Sequence, residues 1–98
     1  MIFVIATLTA KPGTQDAIRE AALPCIEATS AEEGCISYDL HQSLTDENTM
    51  VFVERWKDRA AIDAHFGLDH LRNFVKTITP HLTGNTIEII ENGSVSKL

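Results

Sequence analysis

Two strand-length segments joined by a short polar link restrict the folds open to this chain more than any other feature. Cys35 to Gln42 alternates Ile36, Tyr38 and Leu40 with Ser37, Asp39 and His41, which is the period of a half-buried strand. Met50 to Trp56 is a second strand-like run, and the link Ser43 to Thr49 is polar around Thr45-Asp46-Glu47-Asn48. This pattern predicts a hairpin, so the two strands pair antiparallel.

Upstream, Ile2 to Thr9 is almost wholly apolar or β-branched until Lys11-Pro12-Gly13 stops it, which predicts a first strand. From Thr14, read as an N-cap, the residues Ala17, Ile18, Ala21, Ala22, Cys25 and Ile26 recur at one-faced helical spacing. Asp16 sits in the first turn, where the helix dipole favours an anion. Pro24 inside this pattern predicts a kink or an early end, and Gly34 closes the element. Downstream, Asp58 is placed to cap a short helix with Ile62, His65 and Phe66 on one face, interrupted at Gly67. A further helix from Asp69 carries Leu71, Phe74, Val75, Ile78 and Leu82, with Pro80 near its end. Thr86 to Glu91 reads as the last strand, and residues 93–98 as a polar tail that is frayed or docked on a partner.

The resulting order, β-α-β-β-α(α)-β, is the split βαβ arrangement. The expected fold class is α+β: a ferredoxin-like protomer with an antiparallel sheet, helices on one sheet face, and a single domain over the 98 residues. The face away from the helices is expected to carry Phe3, Ile5, Val51, Val53, Ile87 and Ile89, apolar where their strand neighbours are apolar too. Both faces of the sheet therefore look apolar, and a second copy of the chain is the economical way to cover the face the helices leave open.

Eight basic against fourteen acidic residues give a net charge of −6, which disfavours nucleic acid and anionic membrane as partners. No apolar run approaches the roughly 20 residues a membrane span needs, and no basic segment precedes the apolar start. Cys25 and Cys35 are too few for a disulfide framework, so reduced thiols in the cytoplasm are expected.

Three segments, Glu33-Gly34-Cys35-Ile36-Ser37-Tyr38, Phe52-Val53-Glu54-Arg55-Trp56 and Ala60-Ala61-Ile62-Asp63-Ala64-His65-Phe66, together resemble the antibiotic biosynthesis monooxygenase (ABM) family, in particular its short quinol-monooxygenase-like members. The likeness runs from Met1 to about Glu91. It implies a dimeric α/β barrel with a pocket in each protomer between sheet and helices. It further implies oxidation of a small electron-rich phenol or quinol by dioxygen without metal, flavin or haem. Haem-degrading relatives carry an Asn on strand one, a Trp on the first helix after strand three and a His ligand on the next. The matching positions here are Thr7, His65 and Val75, so haem degradation is not expected. The family also includes isomerases and proteins without shown activity. An isomerase or lyase on the same scaffold, and a non-catalytic, stress-related binder of small ligands, are the alternatives.

A cofactor-free oxygenase needs a base, because a phenolate gives an electron to oxygen far more readily than a phenol does. Histidine starts nearest the required pKa. His65, beside Phe66 on the apolar helix face, is the candidate base. Glu54, on the strand face of Phe52 and Trp56, is the candidate to orient it or to return the proton. Trp56, Tyr38, His41, Phe66 and His70 are the candidate substrate contacts. No metal site is expected, since His65 and His70 are five residues apart, off one helical face, and no His-Glu-x-x-His or Cys-x-x-Cys occurs. Glycines are scattered, so no phosphate loop forms.

Overall fold

The computed structural model describes residues 1–98. In chain order the elements are β1 (Ile2–Ala10), α1 (Gln15–Ser30), β2 (Cys35–Gln42), β3 (Thr49–Trp56), α2 (Arg59–Phe66), α3 (Asp69–Ile78), a 3-10 turn (Thr79–His81), β4 (Leu82–Glu91) and β5 (Ser94–Lys97). They form one antiparallel sheet in the order β2-β3-β1-β4-β5, so the ferredoxin-like expectation is met, with one strand added at the edge.

That added strand corrects the reading of the tail. Asn92 (φ 52°) and Gly93 (φ 78°) occupy the left-handed region and form a two-residue turn, after which Ser94 pairs with Glu91 and Lys97 with Glu88. Asn-Gly is the strongest short signal for such a turn, because both central residues need positive φ. β4 also starts at Leu82, earlier than Thr86, because a register shift opposite Thr9 and Ala10 extends the pairing.

Pro24 does not end α1, which runs on to Ser30, and it lies on the exposed face of that helix. Thr14 stands at the N-cap but does not cap with its side chain: its hydroxyl donates to the carbonyls of Lys11 and His81. Asp58 does cap α2, accepting from the Ala61 N–H at 2.9 Å.

The sheet faces sort by register. Ile2, Val4, Ala6 and Leu8 of β1 face the helices together with Met50, Phe52, Glu54 and Trp56 of β3. Ile87 and Ile89 of β4 pair with Ala6 and Val4 and belong to that same inner face, which corrects their placement on the open one. The open face instead carries Phe3, Ile5, Val51, Val53 and Ile90, all half-buried, with the Arg55 guanidinium 5.3 Å above the Phe3 ring. Ile36 leaves the alternation of β2. A register shift between Cys35 and Ser37 bulges it outward, and it is exposed. No helix is long and apolar enough to cross a membrane.

Candidate active site

Between the inner sheet face and α2 and α3 lies a cavity of about 80 Å³. Its sheet wall comprises Val4, Ala6, Leu8, Phe52 and Ile87, and its helix wall Phe66, Leu71, Phe74, Val75 and Ile78. The polar groups sit at two ends. Glu54 is paired with Val4 and Asn85 with Leu8, so about 13 Å of strand separates them. His65 and Tyr38 line the cavity with Glu54, whereas Thr79 and Asn85 line it with Leu82.

His65 reaches the cavity because Ile62 and His65 form the buried side of α2, and it is 2% exposed. Its Nδ1 lies 2.7 Å from Glu32 Oε2. Glu32 sits in the turn after α1, and Gly34 lets that turn press against α2: a Cβ at position 34 would overlap the Ala61 Cβ. Burial pushes the His65 pKa down against the opposing pull of Glu32, which favours the neutral ring. One proton then remains, held on Nδ1 by the carboxylate, and Nε2 keeps its lone pair. The side-chain hydrogen bond of His65 is made through Nδ1, which leaves Nε2 unpaired in a residue that lines the cavity.

Glu54 does not touch this arrangement through a hydrogen bond to His65. Its Oε1 accepts from the Trp56 indole N–H at 2.9 Å. Burial raises the Glu54 carboxyl to about 7; the indole bond opposes this and the charge of Glu32 adds to it. The cavity thus holds a neutral imidazole and a carboxyl that exchanges its proton near neutrality, an acid and base pair set apart by environment. Tyr38 is held as the phenol, its pKa pushed up by burial and then by Glu54, with its ring 5.5 Å from that of His65.

Of the residues named from the sequence, the cavity gathers His65, Glu54, Tyr38 and Phe66. Trp56 is fully buried behind them, its ring 4.7 Å from that of His65, and acts on Glu54 in place of a substrate. His70 lies outside the cavity wall, its Nε2 2.8 Å from Glu32 Oε2. His41 pairs with Val51 on the open sheet face, opposite to the cavity, so a role in substrate contact has no geometric basis. The orienting role expected of Glu54 falls to Glu32, which the sequence reading did not single out. The helix break at Gly67 also brings His65 and His70 onto one carboxylate, which linear spacing along a single helix had excluded. Burial raises the Cys35 thiol to about 11 and the Cys25 thiol likewise upward, consistent with packing roles.

Comparison with known proteins is consistent with this architecture. Residues 1–77 match the family described as antibiotic biosynthesis monooxygenase. The chain is 37% identical over 82 residues to the Mycobacterium tuberculosis protein "Putative monooxygenase Rv0793", covering 84% of this chain and 80% of that one. The solved structure of Rv0793 superposes with a TM-score of 0.86, at 32% identity and 92% coverage of each chain. The Bacillus subtilis protein "Putative monooxygenase YcnE" is 36% identical over 75 residues, 76% of this chain and 79% of that one. An uncharacterized Synechocystis protein, sll1783, is 33% identical over 88 residues; these cover 90% of this chain but only 59% of the longer relative.

Proposed function

The chain belongs to the antibiotic biosynthesis monooxygenase family, and on that premise we propose that it is a cofactor-independent monooxygenase acting on a small electron-rich phenol or quinol, with His65 as the proton acceptor. One observation carries the reading: the buried His65 lines an apolar cavity while Glu32 holds its Nδ1, which leaves Nε2 as the nitrogen available to a substrate. Nε2 takes the substrate hydroxyl proton, and the phenolate passes one electron to dioxygen. The aryloxyl radical and superoxide then combine at a ring carbon. The peroxide receives a proton from the histidinium or from Glu54, the ring carbon loses its hydrogen as a proton, and the O–O bond breaks with loss of water. The net change is phenol plus O2 to quinone plus H2O, so the substrate supplies all the electrons and no external reductant enters. Excluding water around the radical pair is the task of the apolar walls.

The cavity is smaller than the roughly 150 Å³ that accommodates benzene in an apolar protein core, so a ring enters only as the α3 side chains give way. Val75, 46% exposed at the wall, is placed to move first. Asn85 and Thr79, at the end away from His65, suit a substrate with a second polar group. The free thiols of Cys25 and Cys35 fit a reducing compartment such as the cytoplasm.

The same reading includes a homodimer closed over the open sheet face. Phe3, Ile5, Val51, Val53 and Ile90 form a continuous apolar strip across three adjacent strands, flanked in register by Asp39, Arg55, Glu88 and Lys97. An obligate interface of this kind buries upward of about 2,000 Å².

Oxygen-electrode measurements with a panel of quinols and anthrones test the function. Uptake that needs His65 is the expected result. Solvent-deuterium exchange into a ligand without oxygen uptake would instead indicate an isomerase, and ligand-dependent melting shifts without turnover a binder.

A further inference from the structure

Behind the cavity wall, three metal-ligating side chains converge from three separate pieces of chain. Glu32 comes from the turn after α1, His65 from α2 and His70 from the first turn of α3. Glu32 Oε2 is 2.7 Å from His65 Nδ1 and 2.8 Å from His70 Nε2, and all three atoms lie within 4.8 Å of one another. We propose that Glu32, His65 and His70 form a binding site for a divalent ion of the zinc class, whose occupancy turns off His65 as a base; the second half of this rests on the role given to His65 above.

Two imidazoles and one carboxylate are a donor set that suits zinc, cobalt and nickel, and one poorly matched to magnesium or calcium, which prefer all-oxygen shells. Around a tetrahedral ion with bonds of about 2.0–2.1 Å the donors stand about 3.3 Å apart, so the two contacts to Glu32 need to open by about half an ångström. The side chains of Glu32 and His70 are 11% and 26% exposed, against 2% for His65, so the ion has a way in from solvent and a water a way to the fourth position. The carboxylate supplies negative charge at the point where the ion would sit.

The consequence follows from ring chemistry. Neither Glu32 nor His70 lines the cavity, so the ion meets a bound substrate only through the His65 ring. Metal on Nδ1 forces the one proton of neutral His65 onto Nε2. Nε2, the nitrogen left for a substrate, then donates a hydrogen bond and no longer accepts a proton. No oxidation state changes, and a chelator reverses the switch.

The test uses the purified chain treated with EDTA and then dialysed free of it. Zn²⁺ is titrated by calorimetry and Co²⁺ by visible absorption, without substrate. One ion per chain, with Co²⁺ d–d bands of a four-coordinate site and at least tenfold weaker binding in both His70→Gln and Glu32→Gln, is expected. In ¹⁵N-histidine spectra Zn²⁺ should move the ring nitrogens of His65 and His70 and leave those of His41 and His81 in place. Absence of binding up to millimolar Zn²⁺, unchanged affinity in both variants, or shifts at His41 or His81 instead would overturn the site. His70 is at the partly exposed start of α3, so its variant tests binding in a folded protein, and the wild-type spectra decide the matter should either variant fail to fold. Because binding is read without turnover, its failure leaves the oxygenase reading untouched. A bound ion that leaves oxygen uptake unaltered would overturn the switch alone.

Discussion

Replacing Glu54 with Gln should stabilise the protein above neutral pH and leave it unchanged near pH 4.5. Burial raises this carboxyl from its ordinary 4.5 to about 7. With each tenfold change in a protonation equilibrium being about 1.4 kcal/mol, ionising Glu54 in the folded state costs about 3 kcal/mol more than in the unfolded chain. The sign follows from where the protons are. Below pH 4.5 both states hold the proton and there is no cost. Between 4.5 and about 7 the unfolded chain releases its proton while the folded one keeps it, so stability falls as pH rises. Above about 7 the full cost is present. Gln carries no charge and keeps an oxygen that can accept from the Trp56 indole, so the variant should lack this slope. Urea unfolding of both proteins at pH 5, 6, 7 and 8, at one protein concentration, should show the variant gaining up to about 3 kcal/mol by pH 8. In melting temperature that is more than about 10 °C for a chain of this size. A stability difference that stays flat between pH 5 and 8 would refute the reasoning, since it would mean that Glu54 is ionised freely where it sits.

Three further outcomes follow from the packing. Gly34→Ala forces a methyl group into Ala61 and should cost about 1–3 kcal/mol by chemical denaturation, with Ala61→Gly in the same chain restoring most of it. Ala6→Leu puts its added carbons into the cavity, so it should raise KM for any accepted quinol at least tenfold while costing no more than the roughly 1–3 kcal/mol of an enlarged core side chain; unchanged KM would move the substrate elsewhere. Val53→Asp, at the centre of the open face, should convert a dimer into a species of 10.8 kDa in sedimentation, and a wild type that already sediments at 10.8 kDa at micromolar concentration would remove the dimer from the account.

The order of elements was legible because each carries a strong local signal: alternation in β2, a strand-like run in β3, one-faced spacing in α2 and α3, and Asp58 as a working cap. The cavity residues His65, Glu54, Tyr38 and Phe66 followed from the same face arithmetic. What stayed hidden depends on contacts between distant parts of the chain. Glu32 reaches His65 across 33 residues, and only the close approach at Gly34 makes that possible. The signal was present in the Glu-Glu-Gly run, but a carboxylate before a glycine reads first as a solvated turn. Ile87 and Ile89 changed faces because the register of a strand on its partner, not its composition, decides which side its residues take. His41 was the opposite case: its alternation with Tyr38 already put it on the other face, and the weight given to histidine chemistry overrode it. The fifth strand was lost because four residues with a single apolar one, Val95, are too short to show a strand period, although Asn92-Gly93 announced the turn.

Mass spectrometry after reaction under ¹⁸O2 tests the central claim most directly. The EDTA-treated protein and its His65→Gln variant, both confirmed folded by circular dichroism, are each given an accepted quinol or anthrone. The account predicts one ¹⁸O atom in each product molecule and one O2 consumed per turnover, with a rate unaffected by chelation. It also predicts a rate about 10²–10⁴-fold lower in the variant, as for a lost general base. Product without ¹⁸O, a rate that vanishes with the chelator, or a variant that turns over like the wild type would contradict it.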